Sequence, residues 1–157
     1  MLFRSVRHTL AAQVEAKPWR DKQVLITGGA GFIGSTLATR LAEYGARVTV
    51  IDSMVPEFGG NLFNLNECAD QIRINFSDIR EAFSLKPLLK GVDFLFNLAG
   101  QTSHMDSMRD PHTDLNINCA AQLNLLETCR CVNPNIRIVF ASTRQIYGRP
   151  EYLPVDE

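Results

Sequence analysis

The chain has 157 residues, of which 45% are hydrophobic and 21% charged, as expected of one globular domain with a full hydrophobic core. Its net charge of -1 offers no basic field for nucleic acid, and its apolar runs are only strand-sized, which excludes a membrane span. The four cysteines lack the CxxC pairs of a zinc site and the density of a disulfide scaffold. They predict no metal site and free thiols in a reducing cytoplasm.

The first 21 residues predict an N-terminal extension that leads into the domain. This segment has no acidic residue before Glu15 and no long apolar region, so it is not a secretory signal. A leading helix that packs on the domain and ends at Lys17-Pro18 is expected. An amphipathic start that carries arginines could also mimic an organelle transit peptide.

From residue 22 onward, short apolar runs rich in β-branched residues alternate with helical patterns. Strands are predicted at residues 24–27, 47–51, 71–74, 92–97 and 136–141. Helices are predicted at residues 32–44, 78–89 and 111–131, with a shorter one at 61–68. This alternation predicts an α/β fold, a doubly wound parallel sheet in the order 3-2-1-4-5 that stops after the fifth strand. The expected core includes the aromatic residues Tyr44, Phe94, Phe96 and Phe140.

Three evenly spaced glycines lie between the first predicted strand and the first predicted helix. Gly28 permits a tight turn, Gly31 allows a pyrophosphate to approach the backbone, and Gly34 lets the helix pack close to the sheet. The helix N-terminus offers free N–H groups and the positive end of a dipole. The amides of Phe32 and Ile33 are therefore the predicted phosphate donors.

An acidic residue, Asp52, ends the second predicted strand eighteen positions after Gly34. A carboxylate at this place accepts both ribose hydroxyls of adenosine and would repel a 2′-phosphate. No Arg or Lys follows it before Arg73, so the sequence favours NAD over NADP. Ser53 and Met54 are the neighbouring predicted contacts. The competing interpretation is three turn glycines and a surface aspartate.

The segment TGGAGFIG, with its GxxGxxG spacing, resembles the extended short-chain dehydrogenase/reductase family of nucleotide-sugar epimerases and dehydratases. The resemblance covers about residues 23–147 and implies a Rossmann domain over residues 22–157. Asp78-Ile79-Arg80 resembles the pair that holds adenine in that family, with Asp78 facing the exocyclic amine; a helix N-cap is the alternative role. The stretch NLAG resembles the fourth-strand motif near the nicotinamide ribose, which implies cofactor contacts for Leu98, Ala99, Gly100 and Gln101.

Two further segments extend the resemblance. DLNINCAAQLNLLETCR resembles the family's asparagine-bearing helix, which implies that Asn118 bridges the sheet and the cofactor side or satisfies buried backbone groups. ASTRQIYG resembles the SSxxVYG segment, which implies that Thr143 is the catalytic hydroxyl that bonds the sugar hydroxyl and the base. Ala141 and Ser142 would contact the cofactor. Tyr147 belongs to the YG turn and is not the base. Thr143 as a plain strand-end hydroxyl, and Ser142 as a backbone contact, are the alternatives.

The segment LAGQTSHMDSMRDPHTDLNIN also resembles the CDP-tyvelose and CDP-paratose 2-epimerase branch without a gap. Within it, SHMDSM is similar to a pattern of the 4,6-dehydratases in a shifted register. His104 and Asp106 would lie near the substrate cleft or in a solvated loop.

The family's YxxxK pair, a tyrosine base and the lysine that lowers its pKa, does not occur in the 157 residues. The resemblance therefore implies the N-terminal part of a longer protein, without the C-terminal sugar-binding lobe and inactive by itself. The whole protein is expected to be an NAD-dependent epimerase or dehydratase that acts on a nucleotide-diphosphate sugar by transient hydride transfer through a keto-sugar. It is also expected to form a homodimer through the helix at residues 111–131.

Two rival functions remain open from the sequence. One is a non-catalytic NAD-binding module, which an intact downstream YxxxK motif would contradict. The other is an atypical NAD(P)H-dependent carbonyl reductase, which would consume external NADH where an epimerase shows no net redox change.

Overall fold

The computed structural model describes residues 17–155. Its centre is a five-stranded parallel sheet in the order β3-β2-β1-β4-β5, which confirms the predicted doubly wound topology. The strands are β1 (Gln23–Thr27), β2 (Arg47–Ile51), β3 (Arg73–Asn75), β4 (Phe94–Asn97) and β5 (Arg137–Phe140). The predicted N-terminal helix falls on residues 1–16, outside the described residues; the described part begins with a 3-10 turn at Lys17–Trp19.

Helices connect the strands on both sides of the sheet. They are α1 (Phe32–Glu43), α2 (Ala82–Leu89), α3 (His104–Arg109), α4 (Pro111–Leu115) and α5 (Ala121–Val132). A π-helical segment, Asn116–Ala120, joins α4 to α5, so the helix predicted at residues 111–131 is helical throughout but changes its winding in the middle. The short helix predicted at residues 61–68 is a single 3-10 turn, Leu62–Leu65. No helix in the described part is long and apolar enough to cross a bilayer.

One face of the sheet packs against α1. Successive side chains of a strand point to opposite faces, so β1 presents Val24 and Ile26 to this side. They meet Val48 and Val50 of β2 and, from α1, Ala38 together with Leu41 in one buried cluster. Burial of each such aliphatic side chain is worth about 1.5–3 kcal/mol, and this cluster therefore fixes α1 over β1 and β2.

The other face packs against α2 and α5. Leu25 of β1 and Leu95 of β4 lie at the centre of a second buried cluster. The helices contribute four buried side chains to it: Leu85, Leu89, Leu125 and Cys129. A smaller cluster of Ile79, Ile117 and Ala121 lies beside Ala99.

The expectation that Phe140 belongs to the core is wrong, because its side chain is 58% exposed. All four residues of β5 are exposed. β5 is an edge strand that pairs only with β4, and the helical clusters of the described residues cover β1, β2 and β4 instead. An aromatic residue in an edge strand therefore does not reach the core here.

The helical pattern at residues 111–131 is marked by Leu115, Cys119, Leu123, Leu126 and Cys129, and of these five only Cys129 is buried. The inward face also carries Ile117 of the π-helical segment and Ala121 and Leu125 of α5. The side chains at Leu115, Cys119, Leu123 and Leu126 are exposed. The helix thus carries two apolar faces, and only one of them is covered by the described residues.

Asp78 is not the N-cap of α2, so that alternative is wrong. The helix begins at Ala82, and its N-cap is Glu81, whose side chain makes no capping bond. The Asp78 carboxylate instead accepts a hydrogen bond from the backbone N–H of Arg80 at 2.8 Å. An aspartate that bonds the backbone two residues on forms a turn of its own, which ends before the helix starts.

Candidate functional site

The residues predicted to form a site lie at one edge of the sheet. Gly28 follows β1, Asp52 follows β2, Leu98 follows β4 and Ala141 follows β5. The carboxyl ends of parallel strands share an edge, and ligands of open α/β sheets bind in the crevice outside that edge. The fold therefore brings these four segments together.

Gly28 makes the turn out of β1 and touches the loop after β4. Its φ angle is +66°, in the left-handed region that favours glycine. A Cβ at this position would lie 2.9 Å from the Cα of Ala99. The N–H of Gly28 donates to the carbonyl of Ile51 at 2.8 Å. Only a residue without a side chain fits between the two loops.

Gly34 sets the close approach of α1 to this turn. A Cβ at Gly34 would lie 2.3 Å from the carbonyl oxygen of Gly28, a contact that no real side chain makes. The N-cap of α1 is Gly31, without a side-chain capping bond and without an acidic residue in the first turn. Phe32 and Ile33 are 87% and 65% exposed. The free N–H groups of this first turn are thus open to an anion.

The Asp52 carboxylate is held by the backbone on both sides. Its Oδ2 accepts from the N–H of Ala30 at 3.0 Å, and its Oδ1 accepts from the N–H of Met54 at 2.9 Å. Met54 has a positive φ of 54°, and Ser53 is exposed between Asp52 and Met54. A carboxylate oxygen has room for a second hydrogen bond, so both oxygens can still accept from hydroxyl groups.

The carbonyl of Ala30 is fixed by a residue that the sequence did not single out. Asn64, in the 3-10 turn Leu62–Leu65, donates its side-chain amide to this carbonyl at 2.9 Å. The N–H of Asn61 donates to the same oxygen at 3.1 Å. Together with Asp52, these bonds satisfy both ends of the residue in the middle of the glycine loop. The asparagine pair in GGNLFNL was the available signal.

Asp78, the predicted adenine contact, forms an ion pair with Arg80. The Nη2 of Arg80 lies 2.6 Å from Oδ2 of Asp78, and its Nε lies 3.0 Å from both oxygens. The hydrogen bond from this guanidinium lowers the pKa of the Asp78 carboxyl, although partial burial opposes the shift. Ile79 beside it is buried against Ile117 and Ala121. The ion pair therefore holds the Asp78 side chain in one position as a negatively charged carboxylate.

Asn118, at the centre of the π-helical segment, binds the backbone of the loop after β4. Its Oδ1 accepts from the N–H of Gln101 at 2.9 Å, and its Nδ2 donates to the carbonyl of Gln101 at 2.8 Å. A Cβ at Gly100 would lie 3.2 Å from the same Oδ1. The Nδ2 also donates to Asp114 at 2.6 Å. Asn118 therefore satisfies the backbone groups of Gln101, as the second interpretation expects, and its role toward the cofactor side stays a prediction.

Thr143 and its neighbours form the least constrained part of the edge. The N–H of Ala141 donates to the carbonyl of Asn97 at 3.2 Å and continues the pairing of β5 with β4. Ser142 and Thr143 are both exposed. The hydroxyl of Thr143 accepts from the N–H of Gln145 at 3.3 Å. This hydroxyl faces solvent and keeps its proton free to donate.

The loop candidates His104 and Asp106 lie in α3. His104 is the exposed first residue of the helix. The carboxylate of Asp106 lies 3.6 Å from the guanidinium of Arg109, one turn on. Within residues 17–155, no group of three His, Cys, Asp or Glu side chains is placed to hold a metal ion. Of the two thiols separated by one residue in α5, Cys129 is buried and Cys131 is exposed.

Comparison with known proteins identifies the family. The model of the NAD-dependent epimerase/dehydratase family matches residues 24–157. The chain belongs to this family. It is 37% identical over 136 residues to a putative UDP-glucose 4-epimerase of Methanocaldococcus jannaschii, and this match covers 85% of the chain and 42% of the relative. It is 34% identical over 139 residues to the CDP-paratose 2-epimerase of Salmonella typhi, covering 86% of the chain and 40% of that enzyme.

Solved structures of this family share the fold. The UDP-glucose 4-epimerase of Brucella ovis in complex with NAD has a TM-score of 0.75 and 27% identity to the chain. The match covers 87% of the chain and 40% of that structure. The chain thus spans about two fifths of the length of the relatives that it matches. The Rossmann-like architecture predicted from the sequence is confirmed.

The family is NAD-dependent, and the residues of this edge fit that cofactor. Gly28 and Gly34 leave no room for a Cβ, so the glycine loop packs tightly between the loop after β4 and the first turn of α1, as a dinucleotide-binding turn requires. The uncapped first turn of α1 supplies N–H donors for its charge. Asp52 supplies a side-chain oxygen acceptor at the place where a ribose is bound in this fold. The donor and acceptor set is complementary to the adenosine diphosphate half of NAD.

Proposed function

We propose that this chain is the cofactor-binding part of an NAD-dependent nucleotide-sugar epimerase or dehydratase. The observation that carries the proposal is the fixed Asp52 carboxylate, which lies against the N–H of Ala30 in the glycine loop. This hydrogen bond joins Asp52, the proposed acceptor for the ribose hydroxyls, to the proposed phosphate-binding turn. A carboxylate here disfavours a 2′-phosphate, which supports NAD rather than NADP.

Each segment of the edge has an assigned role in this proposal. The amides of Phe32 and Ile33 and the bare backbone of Gly31 hold the pyrophosphate. Asp52, with Ser53 and Met54, holds the adenosine ribose. The adenine contacts Asp78 and Ile79. The nicotinamide side contacts the loop after β4 and the end of β5, through Leu98, Ala99, Gly100, Gln101, Asn118, Ala141 and Ser142.

NAD, when bound, accepts a hydride from a sugar carbon and returns it, so the reaction passes through a keto-sugar without net redox change. Thr143 orients the sugar hydroxyl, because its exposed hydroxyl can donate while it accepts from Gln145. The tyrosine base of the family's YxxxK pair is not among the 157 residues. We therefore propose that this chain binds NAD but turns over no sugar, and that turnover requires a longer form with that pair.

The resemblance to nucleotide-sugar enzymes also implies a substrate and a subunit partner. The substrate is a nucleotide-diphosphate sugar, and the two relatives described above are epimerases of such sugars by name. A homodimer would use the outward face of α4 and α5, where Leu115, Leu123 and Leu126 are 58%, 62% and 47% exposed. Exposed apolar residues at helical spacing are a common basis of helix pairing between subunits. The cytoplasmic location stays a prediction from the cysteines.

The first test is a calorimetric titration of the chain with NAD+ and with NADP+. The proposal expects saturable binding of NAD+ and at least about tenfold weaker binding of NADP+, because the 2′-phosphate meets Asp52. Equal binding of both, or no binding of either, would contradict it.

The second test uses a longer form of the chain that contains a YxxxK pair, supplied with UDP-glucose, CDP-paratose or dTDP-glucose. Conversion of one of these sugars without consumption of added NADH is the expected result. Consumption of NADH with a simple carbonyl compound would favour the reductase alternative. Binding of NAD+ by a form that converts no sugar would favour the non-catalytic module.

A further inference from the structure

A continuous series of polar side chains connects β1, β4 and α5 beneath the site. The hydroxyl of Thr27 donates to Oδ1 of Asn97 at 2.8 Å. The Nδ2 of Asn97 donates to Oε1 of Gln122 at 2.6 Å. The Nε2 of Gln122 donates to the carbonyls of Ala99 at 3.2 Å and Ile117 at 3.1 Å. Thr27 is fully buried and Asn97 is 3% exposed, whereas Gln122 at the other end of the series is half-buried.

The direction of every bond in this series is fixed by its Gln122 end. Backbone carbonyls only accept hydrogen bonds, so the group that faces Ala99 and Ile117 must be the NH2 of the Gln122 amide. The oxygen of this amide therefore faces Asn97 and requires the NH2 of that residue. Asn97 in turn presents its oxygen to the Thr27 hydroxyl, and no amide of the series can be rotated without loss of a buried bond.

The last atom of the series holds the loop after β4 directly. Because the Thr27 hydroxyl donates to Asn97, its oxygen is free to accept from the N–H groups of Leu98 and Ala99, each at 3.2 Å. Ala99 is therefore bound at its N–H by Thr27 and at its carbonyl by Gln122. This is also the residue whose backbone touches Gly28.

The winding of the helix contributes to this arrangement. Ile117 lies inside the π-helical segment, five positions before Gln122, and its carbonyl receives the Gln122 amide. Asn118, the next residue of the same segment, binds the backbone of Gln101. Two amide side chains, Asn118 of the π-helical segment and Gln122 at the start of α5, thus bind the loop after β4 at Gln101 and at Ala99. Single π-helical turns within longer helices often occur at functional sites.

We propose that Gln122 is a positioning residue for the nicotinamide side of the NAD site. It fixes the carbonyl of Ala99, and through Asn97 and Thr27 it sets the loop after β4 at a constant distance from the glycine loop. This inference rests on the proposed function, in which that loop contacts the nicotinamide ribose. Asp52 and the first turn of α1, which hold the adenosine diphosphate half, receive no bond from this series.

The test compares two ligands on the full chain. Gln122→Met keeps the length and the helical preference of the side chain but removes the amide. We expect the dissociation constant of NAD+ to rise about fivefold to tenfold, which corresponds to one or two lost hydrogen bonds, and that of ADP to change by less than about twofold. Gln122→Glu keeps the acceptor for Asn97 but cannot donate when ionised, and the same selective loss is expected if Gln122→Met does not fold.

The matched control is Thr128→Val in the same helix. The Thr128 hydroxyl is buried and donates to the carbonyl of Asn124 at 2.7 Å, away from the loop after β4. This variant loses a buried hydrogen bond but should leave the ratio of NAD+ to ADP affinity unchanged. An equal loss for NAD+ and ADP in the Gln122 variants, or no loss for either, would overturn the positioning role. Wild-type chain that binds ADP but not NAD+ would overturn it as well, whereas binding of neither ligand would refute the proposed function itself.

Discussion

The two ends of the functional edge differ in how firmly their side chains are held. At the β1–β2 end, the Asp52 carboxylate accepts two backbone N–H groups at 3.0 and 2.9 Å. At the β5 end, the exposed Thr143 hydroxyl accepts one N–H at 3.3 Å. β1 has a strand on each side and a helix over each face, whereas β5 pairs only with β4. The end proposed to bind the cofactor is thus held firmly by the described residues, whereas the end proposed to face the sugar is open to solvent.

The largest effect at the β1–β2 end is expected from Gly34→Ala. The added Cβ would meet the Gly28 carbonyl at 2.3 Å, and neither backbone segment can move without disturbing the core under α1. We expect a loss of about 3 kcal/mol or more in the free energy of unfolding and loss of measurable NAD+ binding. Denaturant unfolding and calorimetry measure the two effects. Thr36→Ala, at an exposed site of the same helix, should change the stability by less than about 0.5 kcal/mol.

A more selective change at the same end is Asp52→Asn. The neutral side chain has only one acceptor oxygen, so the N–H of either Ala30 or Met54 loses its partner. NAD+ affinity should fall about tenfold to a hundredfold, and the preference over NADP+ should shrink because the repelling charge is gone. Asp70→Asn, which neutralises an exposed carboxylate away from the site, is the control. An unchanged preference for NAD+ would show that Asp52 does not select the cofactor.

An effect of intermediate size is expected from the ion pair between Asp78 and Arg80, and its dependence on pH provides the test. The pKa of Asp78 lies below its ordinary value because of the hydrogen bond from Arg80, so the pair stabilises the fold above about pH 4. This stabilisation disappears as the pH falls through the lowered pKa, because the carboxyl becomes protonated. Arg80→Met should cost about 0.5 kcal/mol at pH 7, since the Arg80 side chain is 42% exposed, and nothing once the pH lies well below the lowered pKa of Asp78.

Urea unfolding of the wild type and the Arg80 variant at several pH values measures this difference. Arg130→Met, which removes a similar ion pair with Glu127 on the solvent side of α5, is the control. A cost of Arg80→Met that does not decrease at all as the pH falls below about 4 would rule out the ion pair as its source.

The smallest effect is expected at the open end. Thr143→Val in this chain should change the free energy of unfolding by less than about 0.5 kcal/mol and NAD+ affinity by less than about twofold. The hydroxyl is exposed and its one hydrogen bond is long, so little is lost. Thermal unfolding and calorimetry check both values. A large loss of NAD+ binding would place Thr143 in the cofactor site and remove the contrast between the two ends.

The sequence predicts the strand order and the glycine turn because both depend on local signals. The alternation of strand and helix patterns leaves few topologies, and Gly28 and Gly34 occupy positions where any Cβ would strike the backbone. The sequence is less informative about burial at the edge. Phe140 and Leu123 are large apolar residues of the kind usually found in cores, yet both are exposed. Their exposure depends on which neighbours cover them, and that is a property of the tertiary arrangement.

The residues that support the site were missed for a related reason. Asn64 and Gln122 lie 34 and 23 positions along the chain from the backbone carbonyls that they bind, and no short motif connects them. The helix pattern at residues 111–131 likewise gives no sign of the π-helical segment, whose extra residue turns Asn118 toward Gln101. Long-range hydrogen bonds of this kind become visible only when the strands are in register.

The fluorescence of Trp19 can be used to follow the folding of the chain. It is the single tryptophan, and its ring lies 4.9 Å from Phe94 and 6.0 Å from Phe96, with the guanidinium of Arg137 5.2 Å from the Phe94 ring. Phe94 begins β4, at the edge of the sheet opposite the glycine loop. The emission of this one indole therefore reports whether β4 remains packed against the segment before β1.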